Sequence, residues 1–233
     1  MQTTSHYHGN NRLLAALSPE DFSRFFSGLE PLTLSLRQVL QDAALPIEHV
    51  YFVEEGVTSV LTIMTNGSTI EVGMVGTEGM IGVPALLGDG PSQHVIVQIP
   101  GKALWMSLAQ CKRAFDESSG VRTVFLGFAG ALLRLSSQTA ACNRLHSIEQ
   151  RCARWLLMAH DRVGTDRMPM THEFLSSMLG VRRAGVTTAA GELQRSGLIS
   201  YRQGEITIRD RDGLEALACE CFSIDHAQLN HTG

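Results

Sequence analysis

Thr171-His172-Glu173-Phe174-Leu175-Ser176-Ser177-Met178-Leu179-Gly180, followed by Val181-Arg182-Arg183-Ala184 and then Val186, Ala189, Ala190 and Leu193 at helical spacing, decides the reading of this chain. Phe174, Leu175, Met178 and Leu179 recur with the period of one helix face, and a glycine follows them. The second apolar series closes at Gln194-Arg195-Ser196-Gly197. Two short helices joined by a tight glycine-containing turn form a helix-turn-helix, whose second helix offers its N-terminal residues to base edges in the major groove. Beyond it, Leu198-Ile199-Ser200-Tyr201-Arg202 and Glu205-Ile206-Thr207-Ile208 alternate on either side of Gln203-Gly204, a β-hairpin in the position of a wing. Arg182, Arg183, Arg195 and Arg202 outnumber Glu192, the single acid before Glu205. Such a local excess is what phosphate neutralisation requires. A small helical domain with incidental arginines would show the same spacing.

Working back from there, Ser147-Ile148-Glu149-Gln150 has the form of a capping box and opens a helix through Trp155, Leu156 and Met158. Asn143-Arg144-Leu145-His146 breaks the preceding pattern. Before it, Val121, Phe128, Leu135 and Cys142 occupy one heptad position, and Phe125, Leu132 and Thr139 another. The seam fits either a helix packed on its own domain or a parallel dimer interface. Between Pro31 and Trp105, short β-rich runs are separated by Gly, Pro and the hairpin signal Asn66-Gly67, the texture of a jelly-roll sheet. From Leu13 to Phe26 the pattern is helical, with Ser18 as N-cap and Pro19 in the first turn. The expected class is α+β. Residues 1–11 are a loose tail, 12–117 a β-roll sensor, 118–146 a dimerisation helix and hinge, and 147–233 a winged helix-turn-helix.

Composition bounds the function. The 233 residues are 44% hydrophobic and 18% charged with net charge -4, so any DNA affinity must be local. No apolar run approaches the ~18 residues of a membrane helix, and the polar start lacks the features of a signal peptide. Five scattered cysteines suit reduced thiols in a cytoplasm. Cys219-Glu220-Cys221 with His226 offers two thiolates and an imidazole for zinc, but the spacing is atypical and no fourth ligand is evident. His6 and His8 read as tail residues. No metal or cofactor is expected. Cys142 and Cys152 read as small buried hydrophobes, with a redox switch as the alternative. No nucleophile elbow, phosphate loop or metal-ligand pair on one helix points to an enzyme. Glu54, Glu55, Glu71 and Glu78 read as solvated acids.

With these features in order, the chain resembles the Crp–Fnr superfamily over nearly its whole length. The resemblance rests on Val50-Tyr51-Phe52, Asn66-Gly67, Val75-Gly76-Thr77-Glu78-Gly79-Met80-Ile81-Gly82, the long helix, Leu179-Gly180 and Gly197-Leu198-Ile199. It implies a cyclic-nucleotide-binding-type β-roll, a dimer helix through Val121, Phe125, Phe128, Leu132, Leu135, Thr139 and Cys142, and a winged helix on double-stranded DNA. It further implies a homodimer on palindromic sites that works with RNA polymerase. Thr171, Arg182, Arg183, Thr187, Thr188 and Arg202 are the expected DNA contacts. The effector pocket would fall at Glu78, Gly82, Val83, Gln93 and His94.

The chain departs from the family at informative places. The family's cyclic-AMP binders carry a glutamate for the ribose and, further on, an arginine and a small hydroxyl residue for the phosphate. Val83, Gln93 and His94 stand there instead. Valine accepts no hydrogen bond, and a buried anion without a cation is costly. Cyclic AMP is therefore not the expected signal. No cysteine precedes Cys111, so an N-terminal iron–sulfur cluster is not expected. Arg183 matches an arginine of the cyclic-AMP receptor protein. Ala184 and Thr188 replace its base-reading glutamate and arginine, which predicts a different half-site. The competing function is a small-molecule-sensing module whose C-terminal domain contacts protein rather than DNA.

Overall fold

The computed structural model describes residues 7–88 and 93–230, the last three by their backbone alone. Helix α1 (Arg12–Ala15) is capped by Asn11, and α2 (Pro19–Asp21) by Ser18 with Pro19 in its first turn. A π-helical turn (Phe22–Phe26) follows. The first sheet comprises β1 (Glu30–Leu34), β2 (Val39–Gln41), β3 (His49–Ile63), β4 (Thr69–Val75), β5 (Met80–Ile81) and β6 (His94–Ser107). Its order is β1-β6-β3-β4, with β2 also on β6 and β5 on β3. The strands β1 and β6 run antiparallel from Glu30 opposite Trp105 to Leu34 opposite Gly101. Between β5 and β6 lies α3 (Pro84–Leu87). Then come α4 (Leu108–Glu117), α5 (Ser119–Leu145), α6 (Ile148–Val163), β7 (Arg167–Pro169), α7 (His172–Leu179), α8 (Arg183–Arg195), β8 (Ile199–Arg202), β9 (Glu205–Ile208), α9 (Arg211–Leu217) and α10 (Cys221–Asn230). No helix among the described residues is long and apolar enough to cross a membrane.

The chain divides into two compact units. The first holds the sheet up to Val60 and Met74–Arg134. Its core is aromatic. The Phe26 ring meets Phe52 edge-on at 5.9 Å and Phe125 at 6.0 Å. A Cβ on Gly79 would lie 2.0 Å from the Phe128 ring, so only glycine lets α5 seat this side chain. These contacts correct the dimer seam read from the heptads. Val121, Phe125, Phe128, Leu135 and Cys142 are at most 2% exposed within a single chain. Within a single chain these side chains already pack in the interior. The half-buried Thr139 accepts a hydrogen bond from Arg154, and Leu132 is half-buried too. The large apolar residues that α5 leaves exposed within the first unit are Leu126 and Leu133.

The end of the expected loose tail is also built in. Asn11 is fully buried and donates from Nδ2 to the carbonyls of Val53 (2.9 Å) and Gly79 (2.7 Å). Tyr7 donates to Glu54. His8 is exposed, and His6 lies outside the described residues.

The second unit comprises Leu61–Gly73 and Leu135–Gln228. Helix α6 opens with the expected capping box of Ser147 and Gln150, and buries every residue from Arg151 to Ala159. Three of its polar side chains, Arg151, Arg154 and Trp155, enter the interior with partners. The Trp155 indole N–H donates to Glu71 at 2.9 Å, so Glu71 is a buried acceptor rather than a solvated acid; Glu78 is likewise buried. Arg154 donates to one carboxylate oxygen of Asp225 through Nε (2.8 Å) and a terminal nitrogen (2.6 Å). Desolvation raises the Asp225 pKa, and the guanidinium opposes the shift. Removing one partner of such a pair leaves the other charged and unsolvated. Asp225→Ala should therefore lower the stability of this unit by about 3–5 kcal/mol. Differential scanning calorimetry checks it, and an unchanged transition would contradict the ion pair's role.

Candidate nucleic-acid interface

Helix α7 starts at Thr171, whose hydroxyl accepts from the Phe174 N–H at 3.1 Å. It ends at Gly180, which is left-handed at φ 62°. The Val181 N–H reaches back to the Ser176 carbonyl at 3.0 Å, closing the helix end. Two further constraints hold this turn. A Cβ on Gly180 would sit 2.5 Å from Ile70 Cδ1, and Arg151 donates to the Leu179 carbonyl. Arg182 then stands in extended conformation as the N-cap of α8.

Helix α8 buries Val186, Ala189, Ala190 and Leu193 and leaves Arg182, Arg183, Ala184, Thr187 and Thr188 exposed. The threonine hydroxyls donate to the carbonyls one turn earlier, Thr187 to Arg183 (3.0 Å) and Thr188 to Ala184 (3.1 Å). With their protons committed, their outward lone pairs can only accept. Arg182, Arg183 and Arg202 have no ion-pair partner among the described residues, whereas Arg195 faces Glu192 at 3.6 Å.

The wing is the ladder β7-β9-β8. Arg202 pairs with Glu205 across a two-residue turn with both residues at positive φ, Gln203 at 52° and Gly204 at 80°. The Met170 N–H donates to the Gly204 carbonyl at 2.7 Å, tying the wing tip to the entrance of α7. A shallow cleft over the wing is lined by Arg167, Ser200, Arg202, Gln203, Glu205 and Arg209, among others. Arg167 is paired with Glu205, and Arg209 donates to Ser200 at 3.0 Å. The sequence reading missed Arg167 and Arg209 because they flank the hairpin pattern rather than lie in it.

His172 was missed as well, and it joins the parts. Its ring stacks on Tyr201 at 4.2 Å, and Nδ1 lies 3.2 Å from the Thr187 hydroxyl. Thr171, Thr187 and the base of the wing are thereby brought together. Burial, followed by the field of Arg183, lowers the His172 pKa from its ordinary 6.5.

In the first unit, the expected effector residues include no arginine or lysine. Val83 and Glu78 are buried, Gln93 is exposed and His94 half-buried. Gly82 backs onto Val50, whose Cγ1 would lie 2.8 Å from an added Cβ.

A model of the Crp-like helix-turn-helix domain matches residues 150–217. The chain is 24% identical over 176 residues to the global nitrogen regulator of a Nostoc species, covering 70% of this chain and 78% of that one. Its fold matches a transcriptional regulator of the Crp/Fnr family from Eubacterium rectale (TM-score 0.70, 18% identity, 89% of this chain and 98% of that one). It also matches FixK2 from Bradyrhizobium japonicum (TM-score 0.69, 18% identity, 82% of this chain and 98% of that one). These solved structures share the arrangement of an N-terminal sheet domain before a C-terminal helix-turn-helix.

Two outcomes are expected. Because its pKa is lowered in the fold, neutral His172 contributes stability that is present above 6.5 and lost as pH falls below it. His172→Phe should flatten that decline in a calorimetric pH series; an identical slope would contradict it. Calorimetric titration with cyclic AMP should show no micromolar binding, since nothing in Glu78, Gly82, Val83, Gln93 and His94 neutralises its phosphate.

Proposed function

From the premise that this chain is a Crp/Fnr-type transcription regulator carrying a Crp-like helix-turn-helix domain, we propose that it acts as a cytoplasmic homodimer on palindromic promoter DNA and works there with RNA polymerase. The observation that carries this is the N-terminal end of α8. Its inward face is fully used in packing, and its outward face shows two arginines without acidic partners beside two acceptor-only threonines. In a major groove, Arg182 and Arg183 serve phosphates or guanine edges, and Thr188 accepts from an exocyclic amino group of adenine or cytosine. Arg202 on the wing and the first N–H groups of α7 beyond Thr171 serve phosphates. Ala184 and Thr188 make the half-site differ from that of the cyclic-AMP receptor protein.

Two copies pair through the outer side of α5. Leu126 (45% exposed) and Leu133 (70% exposed) are seven residues apart and form an exposed apolar stripe. A palindromic site requires the two copies of α8 to stand about one DNA turn (~34 Å) apart. The β-roll biases the assembly through a signal other than cyclic AMP.

Gel retardation on promoter fragments across a salt series tests DNA binding. Arg183→Ala should weaken binding by about 1–3 kcal/mol, and Arg202→Ala should lower the slope of log affinity against log salt by about one. No retardation at low salt would favour a protein-contacting module instead. For the dimer, Leu133→Glu should give a monomer by light scattering, and a persistent dimer would move the interface elsewhere.

A further inference from the structure

We infer that Cys142, His146, Cys219 and Cys221 form a closed, four-ligand site for a thiophilic divalent cation, zinc above all. Cys142 lies on the last part of α5, and His146 follows one helical turn later, just past the helix end. Cys219 sits in the turn before α10, and Cys221 is the first residue of that helix. One ligand atom from each lies within 4.8 Å of every other. The Cys142 and Cys219 sulfurs are 3.5 Å apart, and the Cys221 sulfur is 3.6 Å from His146 Nδ1. A tetrahedral zinc with Zn–S of about 2.3 Å and Zn–N of about 2.0–2.1 Å sets S···S at about 3.8 Å and S···N at about 3.5 Å. Those two pairs are within a few tenths of an ångström of that requirement.

The surroundings are those of a metal site too. His146 Nε2 lies 3.2 Å from the Glu220 carboxylate. A proton held there leaves Nδ1, the nitrogen facing Cys221, with its lone pair free. Carboxylate–histidine–zinc pairings set the ligating tautomer in this way. Gln138 donates from Nε2 to the Cys221 sulfur at 3.0 Å, an N–H bond that supports a thiolate. The three thiols are at most 3% exposed and form a cluster of their own. Arg154 bonds Thr139 on α5 and Asp225 on α10 and so braces both elements that carry the ligands. Plain core cysteines would not need an imidazole with a carboxylate behind it. His226, the histidine suggested by sequence proximity, is tilted against Phe222 at 5.9 Å between ring centroids and is exposed.

Three thiolates and one imidazole leave a tetrahedral ion no open position, which is the pattern of a structural rather than a catalytic site. The ion would clamp the start of α10 to the end of α5, and its binding energy would add to the stability of the second unit.

The full-length protein, purified under reducing conditions, tests this by elemental analysis and by cobalt titration. One zinc per chain is expected. Cobalt should give a thiolate charge-transfer band and the intense visible bands of tetrahedral coordination. Cys219→Ser and His146→Ala should lose the bound equivalent, whereas Cys111→Ser, outside the cluster, should keep it. In the unaltered protein, removing the ion with a chelator should lower the midpoint of thermal unfolding, and added zinc should restore it. Absence of both zinc and a tetrahedral cobalt spectrum in the reduced, folded protein would overturn the site. So would a full equivalent of metal persisting in the Cys142→Ser/Cys219→Ser double variant. Protein purified without reductant whose Cys142 and Cys219 peptides are joined, and which binds no metal once reduced, would replace it with a Cys142–Cys219 disulfide.

Discussion

At Gly180 the chain must turn left-handed in a space that Ile70 leaves only to a hydrogen atom, and the arrangement of the second unit follows from that turn. A side chain there would strain the backbone and strike the β3–β4 hairpin at once. Because the turn is held, α8 lays Val186, Ala189, Ala190 and Leu193 inward. The same rotation of the helix carries Arg182, Arg183, Thr187 and Thr188 outward. His172 then locks Tyr201 at the base of the wing and Thr187 on α8 to the start of α7. A recognition surface needs this rigidity, since misplaced donors and acceptors discriminate poorly between bases.

Much of this was legible in the sequence because it is local. Thr171 as a cap, Gly180 as a helix stop, the Ser147–Gln150 box and the Gln203-Gly204 turn each involve residues within a few positions of one another. Such signals are set by backbone hydrogen bonding and φ preferences, which a short window contains. The sheet domain was legible as a texture of short strands, but not its pairing order, which joins β1 to β6 across the whole domain. Arg167 escaped because strand pairing at a distance brings it to the wing, and Arg209 because it lies just past the end of the hairpin pattern.

The heptad in α5 shows where a periodic pattern misleads. A seam of apolar residues says that one side of a helix is buried, and both a partner copy and the chain's own core satisfy that demand. Phe125 and Phe128 are consumed by Phe26, Phe52 and Gly79. Leu126 and Leu133 look like interruptions in the sequence, yet they are the large apolar residues that α5 leaves outside in the first unit. The cysteine cluster was hidden for a related reason. Proximity in sequence pairs Cys219 and Cys221 with His226, whereas the fold supplies Cys142 from α5 and His146 from just beyond its end. Glu71 was similarly misjudged, because only the fold brings Trp155 to it.

The central claim is that the outward face of α8 and the wing tip are where DNA sits. Amide hydrogen exchange of the protein with and without a duplex obtained by site selection tests it most directly. The account predicts slowed exchange concentrated at the start of α7, at the first turns of α8 from Arg183, and around Gln203-Gly204. Protection confined to other surfaces, with those three segments exchanging as in the free protein, would contradict it.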